Sequence, residues 1–237
     1  MSIFRFKHFS IYQASATMKV GTDAMILGAL VCTTGKKRGL DIGAGTGVLS
    51  LMLAQRNVRL RIDALEIDQD ASLGAKFNFD QSDWGQRLKS IYADILDYSS
   101  EEKYDLIFSN PPYYQDYLIS SNDRIARAKH TSFLPIEKLI SSVNSLLSED
   151  GDFWIIVPAN SGQNRWIKTC REAGLNLQKE IAIHGKEGDP IKRMIYCFSR
   201  NQLPLENLIF TVRSLDGSYT DEYINLTSEY HGIDLRG

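Results

Sequence analysis

The chain has 237 residues and a net charge of −2, and 43% of its residues are hydrophobic. This length fits one large domain, or one domain with a small appendage. The charge excludes a general polyanion binder, so any contact with nucleic acid must come from a local patch. Three cysteines without a CxxC pair argue against a disulfide framework or a cysteine zinc site and indicate the reducing cytoplasm. We expect neither a signal peptide nor a membrane span.

The N-terminal part alternates aromatic and polar residues, which predicts a short strand or cap packed on the core. Lys19, Thr22 and Asp23 then lead into an apolar helix expected over 24–31. Thr22 or Asp23 is the expected N-cap. A helix N-terminus beside Lys19 is also a place where an anion can bind, although capping alone is the simpler explanation.

A glycine-rich turn follows the first core strand, which is expected over 39–42. Residues 40–47 read LDIGAGTG and lead into an amphipathic helix over 48–55. Glycine permits positive φ and lets a ligand approach the main chain closely. A Gly-x-Gly alone is weak, but an acid at the strand end and the strand–turn–helix context strengthen the prediction of a ligand site. The residues concerned are Asp41, Gly43, Gly45 and Gly47.

Acidic residues follow the next two predicted strands. Glu66 lies nineteen residues after the last glycine of the turn, where an acid accepts hydrogen bonds from ribose hydroxyls. The alternative is a helix N-cap by Asp68 or Asp70, and neighbouring acids can divide the two roles. Asp94 follows the third strand and either pairs with an adenine amine or is a simple turn aspartate.

The fourth predicted strand, over 104–108, runs into Asn110-Pro111-Pro112-Tyr113. Two prolines cannot continue a strand, because they have no N–H and a fixed φ. The rigid turn presents an amide, backbone carbonyls and the ring of Tyr113. This set suits a planar amine, with acceptors for its two N–H groups and a flat surface for its ring. The alternative is a tight turn with an exposed tyrosine.

A long polar connection over 115–131 follows the turn and is rich in basic residues. Long connections without secondary structure tend to be functional, and this position favours contact with a phosphate backbone. The alternative is a solvated face. With the N-terminus and a late hairpin loop included, the candidate RNA contacts are Lys7, Arg124, Arg127, Lys129, His130, Lys192 and Arg193. We find no cluster with metal-ligand spacing, so no metal site is predicted.

The remaining elements complete a single α/β domain without repeats or linkers. Helices are expected over 135–147, 165–173 and 219–230, and strands over 152–157, 175–183, 194–198 and 208–212. Strands alternating with helices predict a parallel, doubly wound sheet, and the strands 175–183 and 194–198 predict an antiparallel pair at one edge. Ligands bind at the carboxyl ends of such strands. The acids, the glycine turn and Asn110 are therefore predicted to share one rim.

The glycine turn and Glu66 describe a ligand that contains a nucleoside. Gly-x-Gly-x-Gly after an acid differs from the dinucleotide fingerprint, and S-adenosylmethionine, which has a ribose but no phosphate, fits better. LDIGAGTG together with NPPY resembles the class I methyltransferases that methylate exocyclic or side-chain amide nitrogens. FKHF at 6–9, MKVGTD at 18–23 and YTDEYINLT at 219–227 narrow the resemblance to the bacterial tRNA1(Val) adenine-37 N(6)-methyltransferase family.

The resemblance covers nearly the whole chain and implies a Rossmann-like class I methyltransferase fold. It implies a seven-stranded, mostly parallel sheet with an antiparallel edge hairpin and helices on both faces. We expect one methyltransferase domain over 1–237, with residues 1–35 as a substrate and cofactor cap and 36–237 as the catalytic core. The implied cofactor is S-adenosyl-L-methionine, and the implied substrate is tRNA. Monomer and homodimer are both compatible with the sequence.

Site roles follow as hypotheses. The Asn110 side-chain carbonyl and the Pro111 backbone carbonyl would accept hydrogen bonds from the two N–H groups of the adenine N6 amine. Pro112 would complete the rigid turn, and Tyr113 would stack on the extruded base. The cofactor roles would be divided among Asp41 for the methionine amine, Glu66 for the ribose, Asp94 for the adenine, and Lys19, Thr22 and Asp23 for closing the site.

Three alternatives stay open. The acceptor could be a guanine amine of ribosomal RNA or a glutamine amide of a protein, because NPPY serves any planar amine. The chain could be a non-catalytic nucleotide- or RNA-binding module, although such a module needs neither Asn110 nor Glu66. A nicotinamide dehydrogenase is the weakest option, since no residue for hydride chemistry is evident.

Overall fold

A computed structural model describes residues 3–13, 19–111, 134–160 and 162–236. The strands are β1 Ile3–Arg5, β2 Ser10–Tyr12, β3 Arg38–Ile42, β4 Arg61–Glu66, β5 Leu88–Tyr92, β6 Tyr104–Ser109, β7 Leu147–Pro158, β8 Asn176–His184, β9 Ile191–Ser199 and β10 Glu206–Thr211. The α-helices are α1 Thr22–Leu30, α2 Val48–Arg56, α3 Gln69–Asp80, α4 Ile136–Leu146, α5 Gln163–Glu172 and α6 Asp221–Thr227. Among these described helices, none has the length and apolar character needed to cross a membrane.

The main sheet has eight strands in the order β10-β8-β9-β7-β6-β3-β4-β5. Only β9 runs antiparallel to its neighbours, β7 and β8. Within β6, Leu106 and Phe108 belong to one buried cluster and Ile107 to a second, because successive side chains of a strand point to opposite faces. Helices α1, α2 and α3 cover the first face, and α4 and α5 cover the second. The predicted fold class is therefore confirmed.

The sheet has eight strands where seven were expected. The strand beyond the count of seven is β10, which was predicted as a short strand over 208–212 and which pairs in parallel with β8 from Glu206 to Thr211. The hairpin formed by β8 and β9 consequently lies inside the sheet and not at its edge. The first four residues of β10 are exposed, and the strand begins two residues before the predicted start.

Of the two predictions of a helix N-cap, the one for α3 is confirmed and the one for α1 is wrong. Asp68 caps α3, since its side chain accepts a hydrogen bond from the Ala71 N–H at 2.8 Å. Helix α1 is instead preceded by Gly21 in extended conformation, and it has no side-chain cap. Thr22 and Asp23 are already helical residues, so the prediction that either caps α1 is wrong. The Asp23 carboxylate is used elsewhere, as an ion-pair partner.

The N-terminus packs as a separate two-stranded sheet, β1 with β2, against the C-terminal end of the chain. Phe6 forms an isolated bridge with His231, and the Lys7 N–H donates to the Tyr230 carbonyl at 2.8 Å. Phe6 and Phe9 stack with ring centroids 4.2 Å apart, and both are buried. The prediction that the N-terminal aromatics pack on the core is confirmed for these two rings.

Candidate active site

Four neighbouring parallel strands end at one rim of the sheet. The register pairs Ile42 with Ser109 and Glu66 with Tyr92 at the carboxyl ends of β3, β6, β4 and β5. Asn110 follows β6 directly, and the Ser109 hydroxyl ties this end to β3 by donating to the Ile42 carbonyl at 2.7 Å. The structure thus brings together the strand-end residues that the sequence predicted on one rim.

The glycine turn leaves its main chain open. Gly43, Gly45 and Gly47 have φ values of 73°, 54° and 77°, a region that disfavours other residues. A Cβ at Gly43 or Gly45 would meet no atom within 4 Å, whereas a Cβ at Gly47 would meet the Phe79 ring at 2.4 Å. Gly47 is therefore required for packing against α3, and the other two glycines leave space beside the backbone for a ligand.

Glu66 holds the turn from the neighbouring strand. Its carboxylate accepts a hydrogen bond from the Gly45 N–H at 2.8 Å and another from the Asp68 N–H at 3.0 Å. Each oxygen uses one of its acceptor positions in this way, and a carboxylate has about four. Acceptor capacity is left for hydroxyl groups of a ligand. Asp68 is the helix cap, one of the two roles that the sequence divided between these acids, and the ribose role of Glu66 stays a prediction.

Asp41 is fully buried beneath the turn. The Ser50 hydroxyl donates to its Oδ2 at 2.7 Å, whereas Oδ1 has no hydrogen-bond partner among the described residues. Burial raises the pKa of Asp41 to about 7, the Ser50 hydrogen bond acts in the opposite direction, and the nearby charge of Glu66 raises it further. A buried carboxylate oxygen without a partner is costly. The arrangement suits a cationic hydrogen-bond donor at this position.

Asp94 follows β5 and forms a local turn. Its Oδ1 accepts from the Leu96 N–H at 2.9 Å, and its backbone carbonyl accepts from the Asp97 N–H at 3.1 Å. The turn interpretation is therefore seen in the structure. Two apolar side chains stand exposed at this part of the rim, Ile67 at 59% and Tyr92 at 61%. Sequence reasoning missed both, although Ile67 directly follows Glu66.

Asn78 ties the N-terminal hairpin to the glycine turn. Its Oδ1 accepts from the Tyr12 N–H at 2.9 Å, and its Nδ2 donates to the carbonyls of Tyr12 at 3.2 Å and Thr46 at 2.9 Å. Asn78 is 1% exposed. Gln13, the residue after Tyr12, is also buried, and its side-chain oxygen accepts a hydrogen bond from the Val20 N–H at 2.7 Å. The sequence indicated neither amide as part of the site.

The start of α1 is bonded to the far side of the rim. The Arg193 Nε donates to the Asp23 Oδ2 at 2.7 Å. Thr22, the residue before Asp23, and Lys19 are exposed. A cleft of about 410 Å³ adjoins it and is lined by Pro158, Ala159, Asn160, Ile191, Lys192 and Arg193.

Basic residues predicted to contact RNA have acidic partners in the described part of the chain. Lys192 lies 3.4 Å from Asp189, Lys7 lies 3.6 Å from Glu229, and Arg193 has Asp23. Any phosphate would compete with these carboxylates. Pro112, Tyr113, Arg124, Arg127, Lys129 and His130 lie outside the described residues. In the described ranges, no group of three or more potential metal ligands occurs.

Comparison with known proteins agrees with this geometry. The family model described as "Methyltransferase small domain" matches residues 14–173. A Phocaeicola vulgatus protein named tRNA1(Val) (adenine(37)-N6)-methyltransferase is 38% identical over 231 residues, 96% of this chain and 97% of that protein. A Pedobacter heparinus protein with the same name is 38% identical over 227 residues, again 96% of this chain and 97% of that protein.

A solved structure supports the fold alone. A predicted O-methyltransferase from Agrobacterium tumefaciens superposes with a TM-score of 0.69 over 88% of this chain and 96% of that chain, at 19% identity. The sequence relatives carry the assignment further, because their similarity extends over nearly the full length of both proteins. The chain therefore belongs to the methyltransferase small domain family and, within it, to the family of enzymes named tRNA1(Val) (adenine(37)-N6)-methyltransferase.

Proposed function

We propose that this protein transfers the methyl group of S-adenosyl-L-methionine to N6 of adenine in tRNA, at adenine-37 beside the anticodon of tRNA1(Val). The single observation that carries the proposal is the rim itself. Asp41, whose buried Oδ1 has no partner among the described residues, lies near the end of β3, the open glycine turn follows β3, and Asn110 follows the neighbouring strand β6. The names of the full-length relatives supply the substrate.

The rim residues fit this cofactor. Asp41 offers a buried acceptor for the cationic amine of the methionine portion, and Glu66 retains acceptor capacity for ribose hydroxyls. The open space beside Gly43 and Gly45 accommodates a ligand against the main chain. The exposed Ile67 offers an apolar surface for the adenine, next to the position assigned to Asp94. When bound, the cofactor supplies an electrophilic methyl group on a sulfonium.

Asn110 orients the acceptor amine. Its side-chain carbonyl and the Pro111 backbone carbonyl accept hydrogen bonds from the two N–H groups of the amine. These hydrogen bonds direct the nitrogen lone pair away from the ring plane. Such positioning and fixed dipoles lower a barrier without a strong base. In this proposal Pro112 completes the rigid turn and Tyr113 stacks on the extruded base, a contact worth about 1–3 kcal/mol in single-strand binders.

We assign the whole chain, residues 1–237, to one catalytic domain, with residues 1–35 as its cap and 36–237 as its core. Support comes from the Asn78 and Arg193 hydrogen bonds, which join the N-terminal part to the glycine turn and to β9. Because tRNA is the substrate, the cytoplasm is the compartment of action. The proposed RNA surface comprises Lys7, Arg124, Arg127, Lys129, His130, Lys192 and Arg193.

The test is transfer of labelled methyl from S-adenosylmethionine to total tRNA, ribosomal RNA and protein, each from cells that lack this enzyme. We expect label in tRNA, recovered as N6-methyladenosine, and its absence from a tRNA1(Val) transcript in which adenine-37 is replaced by guanine. Label in ribosomal RNA or protein would overturn the substrate. No label in any fraction, with cofactor still bound, would make the chain a binding module.

A further inference from the structure

The segment 19–23 crosses the rim between two anchors in the described structure. On the glycine-turn side, Gln13 holds the Val20 N–H, and its neighbour Tyr12 is bonded to Asn78, which also holds the turn through Thr46. On the far side, the anchor is the ion pair of Asp23 with Arg193. The two ends of this short segment therefore contact opposite parts of the proposed site.

Arg193 is well placed to act as a fixed anchor. It lies in β9, where the register pairs it with Pro158 of β7 and Ile183 of β8, so its backbone belongs to the interior of the sheet. A second nitrogen, Nη1, donates to the Lys192 carbonyl at 3.0 Å and fixes the plane of the guanidinium. Its Nε is directed to the Asp23 carboxylate at 2.7 Å.

Asp23, at the other end of this ion pair, lies in a helix start that has few stabilising contacts of its own. Gly21 precedes α1 without a side-chain cap, and Thr22 is exposed. The Asp23 and Arg193 side chains are 30% and 32% exposed, so water screens their attraction less than that of a fully exposed pair. An arginine–carboxylate hydrogen bond in this setting restricts where Thr22 and Asp23 lie.

We propose that Arg193 is a positioning residue for cofactor binding, which acts through Asp23 to hold the first turn of α1 across the rim. The inference rests on the proposed function and changes one part of it. The sequence assigned Arg193 to RNA contact, whereas its bond to Asp23 assigns it to the cofactor side of the site. The segment 19–23 is then preorganised, and binding does not have to order it.

The test is calorimetric titration of S-adenosylhomocysteine into the full chain, without RNA. We expect R193Q to raise the dissociation constant about five-fold, the size of effect given by one partly buried ion pair. R193K, which keeps the charge, should recover part of the loss. K179Q is the matched control: it removes an ion pair with Glu206 that lies at the first residue of β10, and it should leave the dissociation constant unchanged.

A double-mutant cycle separates positioning from other roles. In a D23N background, R193Q should add no further loss of affinity, because the Asp23 carboxylate through which Arg193 is proposed to act is already gone. Equal losses in both backgrounds would overturn the proposal, and so would an unchanged dissociation constant accompanied by a raised KM for tRNA. The titration needs no methyl acceptor, so it remains decisive even if the wild-type protein fails to methylate tRNA.

Discussion

The two ends of the parallel strands differ in whether their polar groups find hydrogen-bond partners within the described part of the chain. Toward the amino-terminal ends, the Tyr104 hydroxyl donates to Asp63 Oδ2 at 2.7 Å and lies 2.7 Å from the Tyr98 hydroxyl. Arg38 packs its guanidinium 4.6 Å from the centre of the Tyr104 ring and reaches the same Asp63 oxygen at 3.4 Å. This network is completed by the chain itself.

At the carboxyl-terminal ends of the strands, which we call the incomplete end, a buried polar group lacks one hydrogen-bond partner among the described residues. Asp41 is buried with one oxygen satisfied by Ser50 and the other without a partner in the described residues. A self-contained network stabilises the fold, whereas an incomplete buried carboxylate costs stability until a ligand supplies the missing donor. The comparison implies that substitutions at one end change stability, and that substitutions at the other end change binding and catalysis.

The largest expected effect is that of N110A on turnover. Removing the acceptor for the target amine should lower kcat for tRNA methylation about 100-fold, the loss found when one polarising group is removed from an active site. Cofactor affinity and the urea midpoint should stay near the wild-type values. N201A, an asparagine substitution beyond the opposite end of β9, is the matched control. Wild-type turnover in N110A would refute the proposed role of this amide.

D41N tests the incomplete end directly. The amide cannot offer a charged acceptor, so the affinity for S-adenosylmethionine should fall about 30-fold, as expected for a lost buried charge partner. The free energy of unfolding without cofactor should not fall, because the substitution removes a buried ionisable group. Calorimetry and urea unfolding measure the two quantities on the same sample. A large loss of stability with unchanged affinity would place Asp41 with the self-contained network instead.

The raised pKa of Asp41 adds a pH signature. Because the folded value of about 7 exceeds the ordinary value of 3.8, the folded state holds this proton where the unfolded state has lost it. The contribution of Asp41 to stability is therefore fully present below about pH 4 and is lost as the pH rises toward 7. Relative to D41N, the wild-type protein without cofactor should lose stability across this window. Cofactor affinity should rise over the same range, because the carboxylate must be charged.

Y104F tests the opposite end. Loss of the hydroxyl removes its hydrogen bonds to Asp63 and Tyr98, and we expect the free energy of unfolding to fall by about 1–2 kcal/mol. At 25 °C, kcat and the cofactor affinity should be unchanged, since the site lies at the other end of the strands. Urea unfolding and steady-state kinetics provide both readouts. A change in KM for the cofactor at full stability would contradict the division between the two ends.

The incomplete end was easier to predict from sequence than the residues that surround it. Asp41 and Glu66 lie at the carboxyl ends of strands and the glycines and Asn110 follow strands, and parallel strands bring their carboxyl ends to one rim. Local signals such as the Asp68 cap were also readable. The prediction of a cap at the start of α1 failed, because the helix already begins at Thr22 and the Asp23 carboxylate is used in a long-range bond that local rules do not describe.

The missed contacts are distant in sequence. Asn78 meets Tyr12 across 66 positions, and Arg193 meets Asp23 across 170. No motif marks such pairs, since each residue alone is typical of a helix surface or a strand end. The place of β10 was missed for a related reason: a strand over 208–212 was predicted, but only its pairing with β8 makes it the edge strand of the main sheet. Sequence therefore predicts which residues follow strands, and tertiary packing decides which of them are bonded.

The smallest expected effect concerns the cleft beside the incomplete end. Lys192 lines it and already has Asp189 as a partner at 3.4 Å. A phosphate would have to replace this ion pair, so the net gain in binding free energy from the contact is small. K192Q should raise KM for tRNA by about two-fold and lower the slope of log affinity against log salt by about one, with cofactor affinity unchanged. Filter binding of tRNA1(Val) across a salt series measures the slope. An unchanged slope would mean that Lys192 contacts no phosphate, and the basic residues of the connection that follows Asn110 would then have to supply the RNA contact.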